Sequence, residues 1–336
     1  MPSPSAPFPR DMGFQPVPNH APIRRPIHSR IFTTIRSSAY LLFSLSTLLY
    51  LTGCRTPPPT PATLKFVPNP QLRPITEVIA AIDANNQKIP TLWATLNYSV
   101  TIFDKGHSHS LFSDDGILLF SRPNFVHLVG KKELVGTVFD LGSNAQEFWL
   151  EVVPGVNTMY WDTYANLARN GGATLNIPIR PDLIAEVLGV GTFNENLLQP
   201  PVPIMRYDGS TDSYVFLFAS QGDYKWFPQK EVWYDRATLR PRRLMIYDYE
   251  GVPQLDARLS ADKPVQVPDV PQAQWPIIAG DFKLFFPASG NHMEFTLKDV
   301  RLYRTMRNTR IPNPSSFDRP NATDVRQEKV TGSNGE

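Results

Sequence analysis

Cys54 is the only cysteine among 336 residues, and its thiol is the one strong nucleophile the chain carries. It closes the stretch Leu51-Thr52-Gly53-Cys54, directly behind the charge-free run Ala39 to Leu51. Arg24, Arg25, Arg30 and Arg36 form a positive flank ahead of that run. The arrangement suits a signal peptide, and the run is short of the roughly 20 residues that a spanning helix needs. A short buried helix, or an ordinary signal peptide with an incidental cysteine, are the alternatives. Other chemistry is sparse. His107-Ser108-His109 places two imidazoles on one side of a strand, a start to a metal site that Asp104, Asp114 or His127 could join. A solvated hairpin edge is the simpler reading. No nucleophile elbow, zinc-protease helix, P-loop or dinucleotide fingerprint occurs. Asp114-Asp115 is expected in a turn, where Asp serves backbone geometry. Arg301, Arg304, Arg307 and Arg310 recur every three residues, either to meet anionic head groups or a partner, or as a solvated basic end. The expectation is a chain with no catalytic residue, no metal and no cofactor.

Leu51-Thr52-Gly53-Cys54 resembles the lipobox of bacterial lipoproteins, in which the cysteine receives a diacylglyceryl group and becomes the first residue after cleavage. The resemblance implies lipid attachment at Cys54 and a membrane anchor in the cell envelope. Arg55 is not the Asp that signals inner-membrane retention in enteric bacteria, so the outer membrane, facing the periplasm, is favoured. With Cys54 acylated no thiol remains for disulfides, Cys-metal sites or Cys nucleophiles. The leader 1–53 carries five Arg and one Asp, so its loss takes the net charge from +2 to −2. A near-neutral body lacks the basic footprint of a nucleic-acid binder.

The rest divides in three. Residues 54–74 are Pro-rich and read as an extended tether, with a reach on the order of 60 Å. Residues 75–306 form the folded body. Residues 307–336 are polar and expected to be disordered. The body opens with an amphipathic helix, with Ile75, Val78, Ile79 and Ile82 on one face after Pro74. A long strand follows, in which Leu92, Ala94, Leu96, Tyr98, Val100 and Ile102 alternate with a more polar face. Alternation recurs at Phe148 to Val152, Leu255 to Leu259 and Met293 to Leu297, and a second helix is expected at Pro181 to Leu188, ended by Gly189. About ten or eleven strands with few helices imply a mainly β (α+β) fold. The antiparallel meander must either close as a barrel or remain a half-barrel with a concave apolar face.

Gly116-Ile117-Leu118-Leu119-Phe120-Ser121-Arg122-Pro123-Asn124-Phe125 resembles the G-x-L-x-x-x-R-P-N strand of the LolA/LolB lipoprotein-carrier superfamily. Trp233-Tyr234-Asp235 with Leu239-Arg240-Pro241-Arg242 looks like a later hairpin of such proteins, and Pro181 to Gly189 like a lid helix. The resemblance implies an unclosed antiparallel half-barrel capped by short helices, with an apolar cavity for acyl chains. By position, the role of lid latch falls on Arg122. Residue chemistry alone leaves two readings of Arg122. It shares a strand face with Leu118 and Phe120, where a guanidinium is costly unless its donors are met, or it lies at the strand end and snorkels to water. The expected cavity lining is Leu96, Tyr98, Val100, Leu118, Phe120, Phe148 and Leu150.

These readings converge on a monomeric, lipid-anchored carrier or receptor for acyl chains or lipoproteins, working by partition rather than covalent chemistry. The alternatives are an anchored scaffold or sensor that binds a protein partner with no lipid cargo, and a hydrolase for which His107 and His109 are the candidates.

Overall fold

The computed structural model describes residues 71–104, 106–169, 177–302, 314–321 and 323–330. Cys54, the leader 1–53 and all but the end of the 54–74 stretch lie outside them, as do Arg304, Arg307 and Arg310. Helix α1 (Ile75–Asn86) starts at Pro74, whose carbonyl accepts from the Glu77 and Val78 amides, and it buries Val78, Ile79, Ile82 and Asn86. Six strands follow: β1 (Thr91–Asp104), β2 (His107–Ser121), β3 (Phe125–Lys132), β4 (Gly136–Ser143), β5 (Glu147–Val152) and β6 (Thr158–Thr163). Short α2 (Tyr164–Arg169) and α3 (Pro181–Val187) lead to β7 (Val202–Asp208), β8 (Ser213–Gln221), β9 (Trp226–Asp235), β10 (Pro241–Tyr247) and β11 (Pro253–Ser260). A small ribbon, β12 (Lys263–Pro264) with β13 (Ile277–Ile278), precedes β14 (Asp281–Phe286) and β15 (Asn291–Leu297), and β16 (Arg326–Lys329) comes last.

Fourteen strands make one unclosed sheet in the order β16-β6-β5-β4-β3-β2-β1-β15-β14-β11-β10-β9-β8-β7. The two meanders meet where β15 pairs with β1, Leu96 opposite Leu297 and Val100 opposite Met293. All pairings are antiparallel except β16 with β6. The fold is therefore mainly β and unclosed, as expected, but the ten or eleven expected strands are sixteen among the described residues. The miss is physical. The expected strands were found by alternation, and β4 does not alternate: Val138 to Ser143 are all buried because both faces are covered. Edge strand β16, Arg-Gln-Glu-Lys, has no apolar residue at all.

The expectation of a disordered tail over 307–336 is corrected for residues 314–321 and 323–330; the rest of it lies outside the described residues. A 3-10 turn at Pro314–Phe317 packs the Phe317 ring against Phe125, and β16 pairs with β6. Arg319 stacks on Trp161 and pairs with Glu147. Residues 314–321 thus form a strap over the outer sheet face, and residues 323–330 carry an edge strand beside β6. Beneath the strap, the His127 ring lies between the Asp140 carboxylate (3.1 Å) and the Ser316 carbonyl (2.8 Å), and Trp149 Nε1 donates to the same carboxylate at 2.7 Å.

Candidate functional site

Registers fix which side chains share a face. Leu92 stands opposite Phe120 and Ala94 opposite Leu118. Across the seam, Tyr98 faces Phe295. The period-two pattern carries the same face through Leu128, Leu141 and Leu150 on one side, and through Phe282, Leu284 and Ala257 on the other. All seven residues expected to line a cavity, Leu96, Tyr98, Val100, Leu118, Phe120, Phe148 and Leu150, belong to this inner face. Each is at most 3 % exposed, within one apolar cluster that also takes in Val78, Ile79 and Ile82 of α1 and Leu183, Ile184 and Val187 of α3, with Leu188 just past its end. The inner face is therefore packed in this structure, and helix side chains are part of that packing.

The helices cover different halves. Helix α3 lies over β3, β4 and β5. Helix α1 is held to the other half: Asn85 exchanges two hydrogen bonds with the Ile277 backbone, and the Arg73 amide donates to the Tyr214 hydroxyl. From the connection after α3, Phe193 packs its ring on Phe216 and Phe218 of β8.

Arg122 stands where the halves meet, one residue past the end of β2. Its guanidinium donates to three backbone carbonyls: Asn86 at 2.5 Å, Val190 at 2.8 Å and Ile89 at 3.1 Å. Asn86 is the last residue of α1, and Val190 follows the Gly189 that ends α3 at φ +67°. The last carbonyls of a helix have no intrahelical donor and carry the negative end of its dipole. One guanidinium therefore serves the C-terminal carbonyl of α1 and the turn that follows α3, which a planar fork of five donors can do and an ammonium cannot do as well. Asn86 adds a second tie by donating to Gly189 and Gly191 carbonyls, and the Asp83 carboxylate accepts from the Phe193 amide at 3.1 Å. Burial pushes the Asp83 carboxyl above its ordinary pKa, against the Phe193 amide and the Arg122 charge, while burial lowers Arg122 and Asp83 opposes it. Arginine stays charged through such a shift.

The opposite end of the α3 segment is fixed too. Asn291, fully buried in β15, donates to the Pro178 carbonyl and accepts from the Phe103 amide. Nothing in the sequence singled out Asn86, Asn291 or Asp83; their partners lie more than 100 residues away, so no local pattern could mark them. His107 and His109 lie at the far end of β2, where His109 lines a hollow of about 530 Å³ with Leu111, Phe112, Lys132, Val138 and Gly155. His127 is on the outer face with Asp140, on the other side of the sheet from His109. Arg301 stacks on Trp93 at 4.0 Å. A smaller hollow of about 160 Å³ sits near Arg122, between Asn86, Gly189, Val190, Tyr234 and Pro241.

No protein-family model and no curated protein matches the sequence. Several solved structures do resemble the fold. A domain from Vibrio parahaemolyticus, described as outer membrane lipoprotein-sorting, is 15 % identical with a TM-score of 0.42, over 69 % of this chain and 93 % of that one. A LolA superfamily protein from Nitrosomonas europaea is 10 % identical with a TM-score of 0.41, over 74 % and 99 %. A DUF1329 family protein from Desulfovibrio piger is 10 % identical with a TM-score of 0.40, over 69 % and 94 %. These are likenesses of topology, and what the site can do rests on this chain's own residues.

Proposed function

We propose that this chain is a lipid-anchored envelope carrier that accepts acyl chains on the inner face of its half-barrel, under a lid made of α1 and α3. The observation that carries the reading is the Arg122 guanidinium bonded both to the last carbonyl of α1 and to the Val190 carbonyl in the turn just beyond α3. A packed apolar face covered by two helices whose C-terminal ends share one guanidinium can open where that shared contact breaks. In the closed state, Leu183, Ile184 and Val187 occupy the inner face. An acyl chain of about fifteen methylenes offers ~0.8 kcal/mol for each one buried, on the order of 12 kcal/mol, to replace the lid contacts it displaces. Binding and release are then an exchange of apolar partners, with the latch setting the balance between closed and open states. No covalent step is required. Anchoring through Cys54 would hold the carrier at the outer membrane.

Titration of the full chain with a fluorescent long-chain acyl peptide tests this. Saturable binding that acylated peptide displaces, and the same peptide without its acyl group does not, supports the carrier. Equal competition by the unacylated peptide would sink it. A second reading has its own observation in its favour. Because the inner face is packed, an anchored scaffold that binds a protein partner fits the closed structure as well, and equal competition is the result it expects.

A further inference from the structure

The Leu239-Arg240-Pro241-Arg242 stretch, where β9 turns into β10, carries two guanidiniums in different states. Arg242 holds the Asp262 carboxylate through two bonds, at 3.0 and 3.1 Å. Arg240 is half-buried, and its side chain has no hydrogen-bond or ion-pair partner among the described residues. Burial pushes its pKa down, against the Asp262 charge. Elsewhere in the body Arg180, Arg236, Arg243 and Arg319 each meet a carboxylate within 3.2 Å, so an unmet guanidinium stands out. Arg240 lines the hollow of about 160 Å³ near Arg122, and so does Arg73, which precedes α1. Arg73 is exposed and also unpaired, since its backbone amide rather than its side chain bonds Tyr214. A third unspent donor is Tyr234, which lines the same hollow at 5 % exposure and whose hydroxyl has no hydrogen-bond partner among the described residues. A polar group left unmet away from bulk water is costly. The nearby carboxylates do not meet these donors: Asp262 is taken by Arg242, and Asp235 accepts from the Thr238 amide and hydroxyl at 2.8 and 2.7 Å.

We propose that this hollow is an anion site that binds a phosphoryl group, with Arg73, Arg240 and the Tyr234 hydroxyl as its donors. The donor set favours phosphate over carboxylate. Two guanidiniums and a hydroxyl are three separate donors, and a phosphoryl group offers three strong acceptor oxygens where a carboxylate offers two. The guanidinium fork suits such oxygens in geometry and charge. The volume, that of about five liquid waters, admits a phosphoryl group with a few waters and excludes a long acyl chain. The ligand is therefore free phosphate, or the phosphomonoester head of a lipid whose tails stay outside the hollow. Position gives the site a second property. Its wall includes Asn86, the last residue of α1, and Gly189 and Val190 beyond α3. Asn86 and Val190 are two of the three residues whose carbonyls Arg122 holds. An anion here braces Arg240 of the β9–β10 turn against both and so favours the closed arrangement of the helices. The site stands whether or not the inner face accepts acyl chains.

Calorimetric titration of the full chain with inorganic phosphate, against chloride at equal ionic strength, tests this. One saturable site is expected, and Arg240→Gln and Arg73→Gln should each weaken it about tenfold or more. Arg73 is exposed ahead of α1, so its replacement does not put folding at stake. At about ten times Kd, phosphate should favour the bound, closed arrangement about elevenfold, read as slower hydrogen exchange in α1 of the unaltered chain but not of Arg240→Gln. Dihexanoyl phosphatidic acid, kept below its micelle concentration, separates the two sources. Competition with phosphate assigns the site to a lipid phosphate head, and phosphate bound with the lipid excluded assigns it to the free ion; either result supports the site. No saturable binding of inorganic phosphate, or binding equally strong in both arginine variants, overturns it.

Discussion

Replacing Arg122 by Leu removes three donor contacts and leaves the carbonyls of Asn86, Ile89 and Val190 without them. A hydrogen bond from a charged donor contributes about 1.5–3 kcal/mol when buried, and a cation at a helix C-terminus about 0.3–1 kcal/mol. The guanidinium is only partly buried, and water can replace it at some of these carbonyls, so the three contacts together are worth about 2–4 kcal/mol rather than their sum. At about 1.4 kcal/mol per factor of ten, that shifts the closed-to-open balance roughly 30- to 700-fold. Since the bonds join the end of β2 to the ends of α1 and α3, the loss should fall on the lid and spare the sheet. Hydrogen exchange reads this directly. Amides of α1 and α3 should exchange at least roughly 30-fold faster in Arg122→Leu, with those of β1 and β2 unchanged. The same variant should bind acyl probes more tightly, because less free energy is spent on opening. Arg122→Lys should recover only part of the protection, since the three donors of an ammonium radiate from one nitrogen and reach the three carbonyls less well than the guanidinium fork. Faster exchange spread evenly over β1, β2 and the lid, or no change in α1 and α3, would show that Arg122 is not what holds them.

Asn291→Ala should destabilise the fold by about 2–4 kcal/mol, read by denaturant unfolding, since it strips buried partners from the Pro178 carbonyl and the Phe103 amide; a loss below about 0.5 kcal/mol would contradict that role. Gly130→Ala should cost about 1–3 kcal/mol by overpacking, because a Cβ there would fall 2.2 Å from the Tyr98 ring, and thermal unfolding would check it. The strap should be sensitive to pH. His127 faces acceptors on both sides, which requires both ring nitrogens to carry protons; burial opposes the charge, but the Asp140 bond, the Asp140 charge and the Ser316 carbonyl outweigh it and raise the pKa. Its stabilisation is complete below the unfolded value near 6.5 and is lost as pH rises through the raised folded value. Exchange at residues 316–317 should therefore quicken as pH rises beyond about 6.5, after correction for intrinsic rates, and His127→Ala should abolish the dependence.

The parts of the fold that were legible are those where one face is apolar and the other wet. β1 shows its alternation over about twelve residues, and α1 and α3 announce themselves by Pro at the start, an apolar period of about 3.6 residues and, for α3, Gly189 at the end. What was not legible depends on contacts from far along the chain. Val138 to Ser143 are all buried, with Trp149 packed against Gly142 and His127 and Trp149 bonded to Asp140, and β16 is polar because it contributes backbone pairing to β6 rather than core. His127 was a reasonable metal-site candidate as a lone imidazole; its partner Asp140 is thirteen residues away on the next strand, and only the register of β3 with β4 brings them together. The strand ending at Arg122 pointed to the junction, but its three acceptors, and the asparagines that reinforce it, became visible only when both helix ends were placed.

The central claim is that the inner face exchanges lid side chains for acyl chains. Native mass spectrometry of the full chain, purified from an envelope-exporting host and then challenged with acylated peptide, tests it most directly. The account predicts a bound acyl mass beyond any covalent lipid at Cys54, with the bound fraction raised in Arg122→Leu. A chain that carries no such mass, and stays free of it in both forms at saturating acylated peptide, would contradict the carrier.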